Sequence, residues 1–151
     1  ASLDLIVSLN IRAAFLVAQA AARIMDRQGG GVIIHMSSTF GKVGRPGSSV
    51  YSGTKHFIEG LTKSTAVELA PRNIRVNVIA PGPVDNEFQT DIEDRLGERV
   101  GIDATEMINQ AIPLKRHASA DEIAGTVLFL ASDQSSFSTG SVFMADGGLN
   151  A

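Results

Sequence analysis

Ser38, Tyr51 and Lys55 are the residues of this chain best suited to chemistry: the serine precedes the tyrosine by thirteen positions and the lysine follows it by four. On a helix, a tyrosine and a lysine four apart share one face, one turn from each other. A serine delivered by the preceding loop can meet that face. A free phenol has a pKa of about 10, too high for ready proton exchange at neutral pH. An ammonium one turn away favours the phenolate and lowers that value. The serine hydroxyl can hold a substrate oxygen beside the phenol. Asn10, a lone amide on an otherwise apolar helix face, can tether a water that passes the proton on. Such a set moves a proton to or from a carbonyl or alcohol oxygen.

The elements that must position these residues follow from periodicity. Leu5, Leu9, Ala13, Leu16, Ala20 and Ile24 recur at helical spacing and predict one long helix over 3–27, stopped by Gly29, Gly30 and Gly31. Those three glycines precede a strand rather than follow one, so they read as a turn, not a phosphate cradle. Val32–Met36 reads as a strand buried on both faces. The loop 37–48 is rich in Gly, Ser and Pro, and a second helix is expected over 49–69. Ile74–Ala80 reads as a strand closed by Pro81, Gly82 and Pro83. The polar segment of about 84–118, with short helical stretches near 91–97 and 105–110, is a candidate flexible lid over a substrate. Within it Phe88, Ile92, Leu96, Met107 and Ile108 suggest a partly apolar pocket, while Asp91, Glu93, Asp94 and Glu98 fit either an acidic lid or a solvated helix face. A helix over 121–131, capped by Ser119, and a strand over 141–145 ending in Asp146, Gly147 and Gly148 complete the chain.

Alternating helices and strands predict an α/β fold with a parallel sheet. Three strands are half of a doubly wound sheet, which has about six. Residues 1–151 therefore read as the carboxyl-terminal, catalytic half of such a domain. Ligands in these sheets bind beyond the carboxyl ends of the strands, where the loops carrying Ser38 and Pro81–Val84 and the start of the helix carrying Tyr51 and Lys55 converge. None of the fifteen glycines falls into G-x-x-x-G-x-G or G-x-G-x-x-G spacing. The opening Ala1–Asp4 reads as already inside a helix. Taken by itself, the half sheet is expected to fold poorly, with an exposed apolar edge, and to be inactive.

Composition narrows the function classes. The 151 residues are 44% hydrophobic and 19% charged with a net charge of −3, so no attraction to nucleic acid is expected. The absence of cysteine excludes disulfides, thiolate metal sites and a cysteine nucleophile. His35, His56 and His117 show no metal-ligand spacing. Asp4, Asn10, Arg12, Gln19 and Arg23 interrupt the apolar opening, which argues against a membrane span and for a cytoplasmic protein.

Taken in order, Ser38, Tyr51-Ser-Gly-Thr-Lys55, Arg75-Val-Asn-Val-Ile-Ala-Pro-Gly82 and Asp146-Gly-Gly148 resemble the short-chain dehydrogenase/reductase family, over Asn10 to Gly148. The resemblance implies a Rossmann-like fold binding NAD or NADP and interconverting an alcohol and a ketone. It implies that Tyr51 is the general acid or base, that Lys55 also bonds the nicotinamide ribose, and that Ser38 orients the substrate oxygen. Asn10 would complete the proton relay. Tyr51, Lys55, Pro81, Gly82 and Val84 would line the cofactor site, Val84 through its backbone to the carboxamide. Asn86 stands where the family usually has threonine or serine and would be a further cofactor contact. The resemblance also implies a homodimer or homotetramer packed through the long helices. Ser37 is expected to cap the loop, His56 to pack, and Asp146–Gly148 to form a turn and subunit contact. A non-catalytic, truncated family member is the alternative; a sugar-nucleotide epimerase or dehydratase fits less well. Small alcohols, sugars and 3-oxoacyl compounds rank above steroids as substrates.

Overall fold

In the computed structural model, which describes residues 2–151, three parallel strands stand in the order β1–β2–β3. They are β1 (Gly31–Met36), β2 (Ile74–Pro81) and β3 (Val142–Ala145), with Ile34 opposite Asn77 and Val78 opposite Val142. The central strand is buried on both faces: Val76, Val78, Ile79 and Ala80 have no exposed surface. Such a strand must be apolar throughout, and Ile-Arg-Val-Asn-Val-Ile-Ala-Pro departs from that only at Arg75 and Asn77. Both are answered internally. The Asn77 amide donates to Ser138 O at 2.7 Å and accepts from Ser141 N at 3.1 Å, fixing the chain as it enters β3. The Arg75 guanidinium donates to the carbonyls of Leu130, Ser132 and Ser138.

Helices cover the two faces. The amino-terminal helix runs from Leu3 to Gln28, as α1 (Leu3–Val7), a π-helical turn (Ser8–Ala13) and α2 (Ala14–Gln28). Ser2 caps its start through Leu5 N, and Gly29 ends it in the left-handed conformation at φ 83°. With α3 (Ser49–Leu69) it packs on one face, where Ala21, Ala22 and Met25 meet Ile33, Ala66, Ile74 and Val76. On the other face lies α6 (Ala120–Ala131), whose Ile123 and Leu130 meet Ile79, Ile34 and Phe143. One face of β1 is covered less fully than expected: Val32 and Ile34 are only half-buried, because α6 is the helix that reaches them. His35 lies on the better covered face, with its Nδ1 2.8 Å from Thr62 Oγ1. Since that hydroxyl donates to Ile58 O, His35 donates from Nδ1 and leaves Nε2 unpartnered; burial lowers its pKa and favours this neutral form.

The segment between β2 and α6 holds α4 (Glu87–Val100) and α5 (Ala104–Ala111), each longer than its expected stretch. Asn86 and Asp103 cap their starts, and Gly101 at φ 72° ends α4. Ser119 caps α6 in a reciprocal box with Glu122, whose carboxylate also takes the Arg116 guanidinium at 2.6 and 2.8 Å. The hydrogen bond from Arg116, then that from Ser119 N, hold the Glu122 carboxyl at about 2 against a usual 4.5. A depressed carboxyl contributes stability above its ordinary range and loses it as pH falls through the folded value. Between pH 4.5 and 2, therefore, E122Q is expected to show a shallower decline in melting temperature than the unaltered protein; parallel declines would refute the contribution.

By length and apolar composition, Leu3–Gln28 meets the requirements for crossing a membrane. Arg12 and Arg23 lie within it, and each would cost about 2.5–3.5 kcal/mol near a bilayer centre. The helix instead packs on the sheet and along α3, leaving Leu5, Leu9, Leu16 and Val17 exposed.

Candidate active site

Beyond the carboxyl end of β1 the serine loop meets the first turns of α3, and the loop after the parallel strand β2 leaves from the same end of the sheet. Ser37 continues the β1 ladder by donating its N–H to Ile79 O at 2.8 Å, and its buried hydroxyl reaches Lys55 O at 3.3 Å and Glu59 Oε1 at 3.4 Å. Ser38 is extended, and its Oγ accepts from Phe40 N at 3.3 Å, capping the 3-10 turn Thr39–Gly41. The capping serine is therefore Ser38, not Ser37 as the sequence suggested. The reason is the ladder: Ser37 still lies in strand register, so its side chain points into the protein. Capping occupies a lone pair of Ser38 Oγ and leaves its O–H free to donate.

That turn sets the tyrosine. Phe40 meets the Tyr51 ring edge-on, with centroids 5.6 Å apart and planes at 69°. Tyr51 is 36% exposed, and its hydroxyl makes no hydrogen bond among the described residues. Lys55 Nζ lies 5.6 Å from the centre of the Tyr51 ring and donates to Met36 O at 3.0 Å. Burial pushes the Lys55 ammonium below its usual value. Asn10 sits within the π-helical turn, and its Nδ2 donates to Thr54 Oγ1 at 3.1 Å; that hydroxyl in turn donates to Tyr51 O at 2.8 Å. Asn10 is thus tied to the tyrosine's own helical turn, with its amide oxygen left over. π-Helical turns within α-helices are frequent at functional sites.

The turn after β2 leaves the same end of the sheet. Gly82 N donates to Ala145 O at 3.0 Å, and a Cβ on Gly82 would sit 2.9 Å from Asp146 Cα, so only glycine fits. Val84 forms a parallel bridge with Ala118, through Ala118 N to Pro83 O at 3.0 Å and Asp85 N to Ala118 O at 2.9 Å. The N–H and C=O of Val84 itself face the opposite way and take part in no backbone hydrogen bond among the described residues. One donor and one acceptor side by side fit a primary carboxamide, such as that of nicotinamide. Asn86, two residues on, uses its Oδ1 to cap α4 through Gln89 N at 2.9 Å and is exposed.

Three contributors were missed by sequence reasoning. Glu59 is buried one helical turn beyond Lys55, paired with Lys42 Nζ at 2.7 Å and reached by the Ser37 hydroxyl. It pins the serine loop to α3. Gly41 lies between Ser37 and Glu59, where a side chain would collide with both. Thr54 is the link to Asn10. The signal for Glu59 was present: Tyr51, Lys55 and Glu59 continue one four-residue spacing. His56 bonds Ser52 O at 2.9 Å instead of packing, while Asp146 closes its turn by accepting from Gly148 N and Asn150 N. No group of three potential metal ligands occurs among the described residues.

The profile of a family described as enoyl-(acyl carrier protein) reductase matches residues 1–150. The chain belongs to the short-chain dehydrogenase/reductase family. The 3-oxoacyl-(acyl-carrier-protein) reductase of Thermotoga maritima is 40% identical over 146 residues, 97% of this chain and 56% of that protein. A 3alpha-hydroxysteroid dehydrogenase of Mediterraneibacter gnavus is 44% identical over 142 residues, 94% of this chain and 54% of that one. Among solved structures, a gluconate 5-dehydrogenase from Burkholderia cenocepacia in complex with NADP and tartrate superposes with a TM-score of 0.85 at 31% identity, covering 95% of this chain and 54% of its own. The chain spans about half the length of the short-chain dehydrogenases it matches. Its three-strand sheet, with helices on both faces, is the corresponding part of their Rossmann-like fold.

Proposed function

We propose that the protein carrying this chain is a cytoplasmic, NAD- or NADP-dependent oxidoreductase that interconverts a secondary alcohol and a ketone. What supports this reading is the Ser38-capped turn packed through Phe40 on Tyr51, with Lys55 over the ring and Asn10 tethered to the tyrosine's helical turn; the free backbone pair of Val84 follows β2 at the same end of the sheet. When bound, the nicotinamide exchanges hydride with the substrate carbon. In reduction Tyr51 gives its phenolic proton to the substrate oxygen, and in oxidation it takes that proton back. The Lys55 ammonium stands beside the charge that this transfer leaves on the ring. Ser38 donates its free O–H to the substrate oxygen and holds it against the phenol. Asn10 offers its unused amide oxygen to a water that returns the proton to solvent. Val84 would hold the carboxamide through its free N–H and C=O. Two relatives act, by their names, on 3-oxoacyl and 3-hydroxysteroid compounds, which are ketone and secondary alcohol chemistry.

The test is turnover of NADH and NADPH with a 3-oxoacyl thioester, a 3-ketosteroid, a keto sugar and a small diketone. Steady oxidation with one or more supports the reading. Nucleotide binding with no turnover of any carbonyl would favour the non-catalytic alternative. The exposed apolar residues of the long helices, Leu9 at 61%, Val17 at 68% and Val67 at 77%, support a homodimer or homotetramer. Sedimentation of a monomer at micromolar concentration would refute it.

A further inference from the structure

The segment 84–118 is held to the rest of the molecule in an unusual way. The buried residue of α4 is a carboxylate, Glu93, and that of α5 is Ala104. Phe88, Ile92, Val100 and Met107 are exposed, and apolar anchoring of α5 comes mainly from Ala104 and from Ile112 just after it. Glu93 does not belong to a solvated acidic face. Its side chain is 4% exposed and takes hydrogen bonds from Gln89 Nε2 at 2.7 Å, from Thr105 Oγ1 and from His117 Nε2 at 2.6 Å. His117 is itself 9% exposed, and its Nδ1 lies 2.7 Å from Asn109 Oδ1. One imidazole therefore joins α4 and α5, with Thr105 tying the same carboxylate to α5. The next residue, Ala118, is the partner of Val84 in the bridge beside the candidate active site.

We propose that His117 is a positioning residue for substrate capture: its two ring nitrogens latch α4 and α5 to the Val84–Ala118 bridge, and loosening that latch weakens substrate binding while sparing proton transfer. The proposal rests on the oxidoreductase reading and on α4–α5 acting as the substrate lid. Removing the imidazole leaves Glu93 and Asn109 short of a partner in a region with little apolar burial to hold it closed. A binding-competent lid populated only about a tenth of the time multiplies the apparent dissociation constant about tenfold.

The experiment uses the protein as its gene encodes it, with H117L and H117Q, since glutamine keeps a donor where Nε2 stands. H117L is expected to raise KM for the carbonyl substrate about tenfold with kcat changed by less than about threefold. Amide exchange should quicken over residues 87–111 and stay unchanged over α3 and β2. H117Q should restore most of the lost affinity and protection. Unchanged KM in H117L, or a fall in kcat at constant KM, would overturn the proposal. Faster exchange that extends through β2 would also overturn it, by showing a general folding role. If the unaltered protein turns over no alcohol or ketone, the oxidoreductase reading fails; unchanged exchange over 87–111 would then refute the latch independently.

Discussion

Replacing Tyr51 by phenylalanine is expected to lower kcat/KM by about 100- to 10,000-fold, the usual contribution of a positioned acid or base, or about 3–5 kcal/mol of barrier. The structure makes this a clean substitution. The Tyr51 hydroxyl has no hydrogen-bond partner among the described residues, so its loss orphans no buried group. The ring's edge-on contact with Phe40 and the Lys55 ammonium near its face are kept by phenylalanine. Melting temperature should therefore stay within experimental error of the unaltered protein, and nucleotide affinity should change far less than kcat/KM. Steady-state kinetics with calorimetric binding of the nucleotide separates the two quantities. Full activity in Y51F would end the assignment of Tyr51 as the proton donor, whatever the family resemblance.

The largest effect on stability is expected away from the chemistry, at Asn77. Its side chain is fully buried in the central strand and satisfies Ser138 O and Ser141 N at once. N77A leaves both backbone groups without that partner and opens a small cavity beside them. Ser141 N is then orphaned, at about 1–3 kcal/mol, and Ser138 O keeps only the 3.4 Å bond from Arg75, so with the cavity a loss of about 2–4 kcal/mol is expected. In a domain of ordinary size this lowers the melting temperature by roughly 5–15 °C. N77D should fare no better: one carboxylate oxygen can accept from Ser141 N, but the other faces the Ser138 carbonyl without a proton to give. A loss below about 0.5 kcal/mol in N77A would mean that β3 is placed by other contacts.

Much of this architecture is legible in the order of the residues alone. Asn77 lies in an otherwise apolar run, and Pro71 and Pro81 bracket the strand region, so β2 and the end of α3 fall where expected. The Ser119 cap can be read because Ser-x-x-Glu is a local device, complete within four residues. The full lengths of α4 and α5 are legible in principle from Asn86, Asp103 and Gly101, but polar composition conceals them. Other features depend on partners far along the chain. His117 meets Glu93 across 24 residues, and Asn10 meets Thr54 across 44. That Ser38 and not Ser37 caps the turn depends on where β1 leaves its ladder, a matter of one residue that composition does not encode.

The π-helical turn at Ser8–Ala13 gives the amino-terminal helix a property that hydropathy does not reveal: its residue count matters more than its residue types. A π turn accommodates about one residue more than an α turn, and each residue advances the chain by about 100°. Deleting one residue there would let the helix close into regular α-helix, with its hydrogen-bond ladder intact and its hydrophobicity nearly unchanged. Because the wide turn held the extra residue within a single turn, everything before the deletion would keep its phase relative to α2. Only the residues inside the turn would be re-aimed, and the amide at position 10, which meets Thr54 from there, is among them. Substitutions scattered along this helix, by contrast, preserve the wide turn that aims it.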